Sequence, residues 1–300
     1  MHRKYKFKNF STDDKIFYVI VYAVLTAFFI MVLYPCIYTV SASFSSGPAV
    51  SNGKVILWPV EFTLNGYKTV LATKKVWIGY RNTIFYTFFG TVVQLIYTMT
   101  CGYVMSRKDW IGRGAVMTLF GITMFVGAGL IPHYIMYANM GLVNNPLVQI
   151  FPGAMSIWNM IIARTFIQSS IPIELLEATQ MDGGSDFKYY IKVVLPLSKA
   201  VIAVLALYYG VGHWNDYFGA MIYLHNENIY PLQIYLKEIL GASEIDPADV
   251  SDPQMLAELQ AFVATIKYAL IMVAMIPVLM VYPFVQKYFV KGVMIGSIKG

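Results

Sequence analysis

From Gly114 to Ala163 the chain carries no Asp, Glu, Lys or Arg, a stretch too apolar for the surface of a soluble domain and far too long for one crossing of a bilayer. One helical crossing takes about 20 apolar residues, so the stretch must hold two, parted where Asn139 to Pro146 supply turn residues. The same criterion finds four more runs: Ile16 to Phe44, Asn82 to Ser106, Val193 to Trp214 and Ala261 to Tyr282. Backbone groups inside lipid have to satisfy one another within the segment, which makes helices the spanning element for runs of this length. The expected fold is therefore all-α, a polytopic membrane protein with six transmembrane helices. A chain of 300 residues that is 58% hydrophobic and 13% charged agrees with that class and not with a soluble one.

Basic residues gather beside the runs: Arg3, Lys4, Lys6, Lys8 and Lys15 at the amino terminus, Arg107, Lys108 and Arg113 after the second run, and Lys287, Lys291 and Lys299 in the carboxyl tail. Short basic flanks stay on the cytoplasmic side. Both termini are thus expected in the cytoplasm of a multi-pass cell-membrane protein, with residues 1–15 and 291–300 as tails and 16–290 as the membrane domain. Lys54, Lys68, Lys74 and Lys75 in the first outer loop run against this bias, which long loops obey less strictly. The net charge of +6 then reports orientation and lipid contact, not a nucleic-acid partner. A signal peptide would also begin with a basic flank, but the first run exceeds the about 7–15 residues of a signal core and is expected to stay as a span.

Charges near the span ends, Arg164, Lys199 and Lys267, lie where long side chains snorkel to the headgroups. No acidic residue falls in mid-run, which argues against an ion-coupled carrier built on a carboxylate relay. Cys36 and Cys101 both sit in apolar runs, so neither a disulfide nor a metal site is expected. His133 and His213 lack an acidic partner at useful spacing, and no convergent catalytic set is found; each histidine is read as a polar group satisfied in the bundle or at the interface.

Against this background Glu177 to Pro196 is a charged, glycine-broken island that has to lie at a membrane face. Pro172 followed by Glu174 and Glu177 opens a short helix, with acids at the positive end of its dipole. Gly183 and Gly184 break it, and Ser185 is placed to cap a second helix. Phe187, Tyr190, Ile191, Val194 and Leu195 then recur at helical spacing, with Lys188 and Lys192 opposite them. The pattern predicts two short helices joined by a glycine elbow, offered to another protein.

Glu177-Ala178-Thr179, Asp182-Gly183-Gly184 and Leu195-Pro196 resemble, in spacing and order, the cytoplasmic signature of permease subunits of binding-protein-dependent ABC importers. Thr179 and Gly184 stand where those permeases usually have alanine; both replacements are small, and Gly184 is expected to loosen the elbow. Gly102-Tyr103-Val104-Met105-Ser106-Arg107, Trp214-Asn215-Asp216-Tyr217 and the terminal Gly292 to Gly300 are similar to the smaller permease of carbohydrate importers of the maltose type. The long first outer loop and Tyr230-Pro231-Leu232-Gln233 look most like permeases for oligosaccharides released from complex polysaccharides.

The resemblance implies the type I ABC importer permease fold with a cytoplasmic coupling helix, the coupling motif spanning 172–196 and an outer loop spanning 217–260. It implies as partners a second, homologous permease, two cytoplasmic ABC ATPases and an external solute-binding protein. Glu177, Ala178, Asp182, Gly183, Gly184, Leu195 and Pro196 would carry ATPase coupling, and the tail from Gln286 onward would reach the ATPases. Trp214, Asn215, Asp216 and Tyr217, with Trp158 and Asn159, would line the substrate path; the aromatic ones equally fit an interfacial belt. The acidic segment Asn226 to Glu258 would meet the binding protein. No Gly-x-x-x-x-Gly-Lys-Ser/Thr loop occurs, so ATP and Mg are expected on the partner ATPase, with no cofactor and no catalytic residue on this chain. The open alternatives are an ABC permease for a peptide or glycerol-phosphate, and an ion-coupled secondary transporter.

Overall fold

A computed structural model describes residues 11–242 and 253–297. The basic residues Arg3 to Lys8, the loop acids Glu244, Asp246, Asp249 and Asp252, the side chain of Glu258, the side chains from 284 onward and the last three residues of the tail lie outside what is described. The chain divides into two compact units, one built from 1–72 and 239–273, the other from 73–238 and 274–300.

The first unit begins with α1 (Thr12–Ser43), capped by Ser11, whose Oγ accepts from the Asp14 N–H at 3.1 Å while Asp13 and Asp14 face the helix dipole. Most of its large apolar side chains are exposed from Ile16 to Tyr34, Ile37 and Tyr38 are partly buried, and full burial begins at Ser41. Two short helices come next, α2 (Gly47–Ser51) and α3 (Asn65–Ala72). A Cβ on Gly47 would lie 2.0 Å from the Ala261 carbonyl oxygen and one on Gly66 2.5 Å from that of Thr265, so glycine is what lets both helices touch the backbone of the last helix. Ala42, Ala49, Val50 and Val55 form the small core of this unit, with Tyr38 packed edge-on against Tyr268.

The second unit is organised on α4 (Lys74–Ser106), whose 33 residues extend about 50 Å at 1.5 Å per residue. It is longer at its start than the expected Asn82. After it come α5 (Arg113–Phe125) and α6 (Leu130–Asn139), bent by 114° where Gly129 takes φ +83°. The expected third span is thus a broken one: Gly127 and Gly129 interrupt it, a feature that hydropathy alone does not register. The next helix, α7 (Ile157–Ser170), starts later than the turn at Pro146 and runs past Arg164; its 14 residues rise about 21 Å.

The island forms α8 (Glu174–Met181) and α9 (Asp186–Tyr189), then a π turn over Tyr190–Val194 and α10 (Leu195–Leu197). The fifth span proper is α11 (Lys199–Asn215), and the segment before it is bent away by 78°, so the span begins six residues after the expected Val193. Then come α12 (Phe218–Tyr223), α13 (Leu232–Ala242) and α14 (Pro253–Ser297), whose first part belongs to the first unit and second part to the other. Among the described residues three helices are long and apolar enough to cross a membrane, or five spans if each bent pair counts as one.

α4, α7 and α11 share one core. Gly102 lets α4 approach α7 until its missing Cβ would lie 2.9 Å from that of Ala163, the small-residue crossing typical of helices in lipid. Met99, Tyr103, Ile167, Val201 and Leu205 fill in around this crossing.

Candidate functional site

The elbow is built by local backbone chemistry. Gly183 takes φ +69°, its N–H donates to the Gln180 carbonyl at 3.0 Å, and the Gly184 N–H donates to that of Thr179 at 2.8 Å. This paired bonding ends α8 in the manner glycine favours, because the left-handed residue has no Cβ to clash. Ser185 then caps α9 by accepting from the Lys188 N–H at 3.3 Å, as its position in the sequence predicts. Gly184 does not loosen the turn. A Cβ there would meet the Thr179 γ-methyl at 2.6 Å and the Thr179 carbonyl oxygen at 2.8 Å, so the two residues that depart from alanine fit against each other.

Within α8 only Leu176 is buried, against the core that holds Ile171 and Tyr189. Glu174, Glu177, Ala178 and Met181 are exposed at the i, i+3, i+4, i+7 positions of one face, and Met181 is 89% exposed. The face of the following segment differs from expectation: Tyr189, Tyr190 and Val194 are buried while Phe187 is 73% exposed. The π turn adds a residue to one helical turn, which rotates the residues after it relative to those before. Leu195 is half-buried and Pro196 exposed, both at the start of α10.

Three side chains make hydrogen bonds at the end of α4, two of them from α7 and one that reaches this region. Arg164 donates from Nε to the Met105 carbonyl at 3.1 Å, and Gln168 from Nε2 to that of Ser106 at 3.0 Å. Both serve helix-end carbonyls that lack an intrahelical partner, so Arg164 acts as a cap on α4 and does not snorkel to the headgroups. Arg107 is the third. Its Nε and Nη2 reach the two oxygens of Asp109 at 2.8 and 2.5 Å, and Nη1 donates to Asp186 Oδ1 at 2.9 Å and to the Tyr103 hydroxyl at 3.0 Å. The Arg107 side chain is 14% exposed, those of Asp109 and Asp186 65% and 60%. Hydrogen bonding from Arg107 holds the Asp109 carboxyl down to about 2, and the carboxylates raise the guanidinium above its ordinary value.

At its other end α4 holds the chain around Asn226 to Leu232. Asn82 donates to the carbonyls of Asn228 and Tyr230, both at 2.9 Å, and Tyr86 to that of Ile229 at 2.8 Å. Thr83 Oγ1 accepts from the Leu232 N–H at 2.8 Å, and Lys75 pairs with Glu227 at 2.8 Å.

Between these ends α4 and α11 face each other across two polar rungs, Thr98 to the Tyr209 hydroxyl at 2.6 Å and Gln94 to His213 Nε2 at 3.0 Å. Gly90 leaves the room that the His213 ring fills: a Cβ there would be 2.4 Å from it. Gln94, His213 and Tyr209 border a cavity of about 380 Å³ whose lining also includes Tyr137, Gln149, Tyr208 and Asp216. Asp216 Oδ1 accepts from the Gly219 N–H at 3.0 Å; with its amide turned to suit, Gln149 donates to Oδ2 at 2.9 Å. The cavity therefore joins flat phenol faces to amide and carboxylate groups, the mixture suited to a polyhydroxylated ring.

Of the residues expected on a substrate path, Asp216 alone lines this cavity. Trp214 is buried, donates from Nε1 to the Ala274 carbonyl at 3.1 Å, and borders a separate, apolar cavity of about 560 Å³ with Phe88, Leu207 and Pro277. Asn215 turns back to the Val211 carbonyl at 3.0 Å, Tyr217 and Trp158 are exposed, and Asn159 is buried in α7; none of the four lines either cavity. Gln94, Thr98, Tyr209 and His213 are not among the site residues expected from the sequence. A signal was present: two pairs of polar residues at i, i+4 inside otherwise apolar runs.

No protein-family model matches the chain. It is 36% identical over 287 residues, 96% of this chain and 99% of the relative, to the polygalacturonan/rhamnogalacturonan transport system permease protein YtcP of Bacillus subtilis (strain 168). Protein LplC of the same organism is 35% identical over 266 residues, 89% of each chain. Among solved structures, a chain of a bacterial ABC transporter involved in the import of the acidic polysaccharide alginate superposes with a TM-score of 0.84 at 36% identity, covering 93% of this chain and 99% of that one.

Proposed function

This chain belongs to the family of permease subunits of sugar ABC transport systems, and from that premise we propose that it is one membrane half of an ATP-driven, binding-protein-dependent importer of oligosaccharides. The relatives named for polysaccharide transport support a substrate released from a complex glycan. A second, homologous permease completes the passage, two ABC ATPases bind ATP and Mg in the cytoplasm, and a binding protein delivers the sugar from outside. Both termini and the elbow face the cytoplasm in this reading, and the segment 217–260 faces outward.

The observation that carries the proposal is the elbow: a helix with an exposed acid-bearing face, Glu174, Glu177, Ala178 and Met181, held to the membrane core by the buried side chains of Leu176, Tyr189 and Tyr190. Such a rigid projection passes motion of an attached ATPase into the spans. Glu177 is the principal polar contact, with Ala178 beside it, and Asp182, Gly183 and Gly184 fix the angle at which the helix is offered; Leu195 and Pro196 turn the chain back into α11. ATP-driven closure of the ATPases then favours one orientation of the spans over the other by differential contact. On the substrate side, Asp216 with Gln94, Gln149, His213 and Tyr208 offers the sugar its contacts in passing.

Glu177→Lys and Gly183→Pro, each expressed with the full transporter, test this. Both chains should reach the membrane, uptake should fall to background, and the ATPase should no longer copurify with Glu177→Lys. Unchanged uptake and unchanged copurification would remove the role.

A further inference from the structure

The bonds at the end of α4 suggest how the elbow is joined to the spans. Arg107 comes directly after the last turn of α4 and divides its donors between two carboxylates on different elements: Asp109, two residues on, and Asp186, the first residue of α9. The two pairs are not equivalent. Asp109 takes two parallel N–H bonds, whereas Asp186 takes one, through a single oxygen. Losing Asp186 would therefore leave the guanidinium paired with Asp109 and bonded to the Tyr103 hydroxyl, and the half-exposed Asp186 would pass into water. Breaking a shielded ion pair is costly chiefly because it strands an unpaired charge, and here neither charge is stranded.

From this geometry we propose that Arg107 is a positioning residue, a latch that joins α4 to the elbow through Asp186 and releases it while Asp109 retains the guanidinium. The proposal rests on reading the chain as an ABC permease. α4 is continuous from this latch to Asn82 and Tyr86, which donate to residues 228–230, and Thr83, which accepts from the Leu232 N–H, so a change in the latch is passed along one helix to the segment that meets the binding protein. Arg164 and Gln168 hold α7 on α4, and Tyr190 holds the elbow segment through its hydroxyl on Thr100 at 3.1 Å and its ring stacked on Tyr103, so the Arg107–Asp186 pair is the part of this junction that opens without disturbing the buried core.

Asp186 lies off the exposed face of α8, which makes it separable from the ATPase contact. In the reconstituted complex of both permeases, the ATPases and the binding protein, the quantity to read is the ATPase rate with sugar-loaded binding protein divided by the rate without it. Asp186→Ala should leave assembly and basal ATPase intact and lower this ratio about five-fold or more, the range of an allosteric coupling, while Asp186→Glu should restore most of it. Asp109→Asn, which leaves Asp186 as the only carboxylate on Arg107, should slow maximal uptake because the latch no longer opens freely. An unchanged ratio in Asp186→Ala overturns the latch, and so does loss of assembly together with basal ATPase, which would make Asp186 a structural brace. Full-speed uptake in Asp109→Asn also overturns it. If the wild-type complex shows no stimulation at all, the permease reading itself fails, independently of these variants.

Discussion

Gly183 and Gly184 do different work although they stand side by side. Gly183 occupies the left-handed region at φ +69°, where an L side chain costs about 1–2 kcal/mol, and nothing crowds its Cβ position. Gly184 is needed for space, since the Thr179 methyl and carbonyl oxygen occupy the surroundings that a Cβ would enter. Gly183→Ala should strain the elbow by about 1 kcal/mol. Gly184→Ala should disturb it more, and adding Thr179→Ala should recover part of the loss by removing the methyl but not the backbone oxygen. Limited proteolysis at the elbow, combined with uptake, reads this cycle, and additive effects of the two substitutions would contradict the contact. That glycines break the helix is legible in the sequence. That Thr179 and Gly184 compensate each other is not, because it depends on the turn returning the chain onto itself.

Among the elements, α4 has the most consequence. Its apolar part runs from Asn82 to Ser106 without a proline, it extends at the start through Lys74, Lys75 and Arg81, and its end at Ser106 comes from the charges after it. What completes it comes from elsewhere in the chain: Arg164 and Gln168, one helical turn apart on α7, satisfy carbonyls at Met105 and Ser106. A hydrogen bond from a charged donor contributes about 1.5–3 kcal/mol. Arg164→Ala should therefore lower the thermal unfolding midpoint of the detergent-solubilised protein by several degrees, whereas Arg164→Gln, which keeps an N–H donor without charge, should lower it less. Equal midpoints for Arg164→Ala and the wild type would show that the cap contributes nothing. The break between α5 and α6 shows the opposite limit of sequence reading: Gly127 and Gly129 were visible, but glycine in an apolar run is compatible with a straight helix, and only the backbone conformation, with Gly129 at φ +83°, shows the bend.

For the molecule as a whole, lipid is the partner that the surface demands. Along α1 the side chains of Phe28, Phe29, Met31 and Val32 are each more than 60% exposed, an apolar surface tolerated in hydrocarbon and not in water. Phe28 sits near the middle of that helix, so Phe28→Arg places a charge where insertion costs about 2.5–3.5 kcal/mol. The variant should shift a measurable share of the protein out of the carbonate-resistant membrane fraction; full retention would mean that α1 does not cross the bilayer at this depth. Glu177→Lys, in contrast, should leave insertion intact, which separates a failure of coupling from a failure of assembly.

Membrane class, the helical content and the glycine elbow were determined by the sequence itself, because long uncharged runs and glycine-terminated helices are local physical constraints that hold in any fold. The contents of the cavity, the cap on α4 and the division of Arg107 between Asp109 and Asp186 were decided only by tertiary structure. Each joins residues from separate elements, such as Gln94 with His213 or Arg107 with Asp186, and their meeting depends on which helices pack together and at what rotation. That rotation is set by close approach at Gly90 and Gly102 and by the π turn after α9, features whose consequences are three-dimensional.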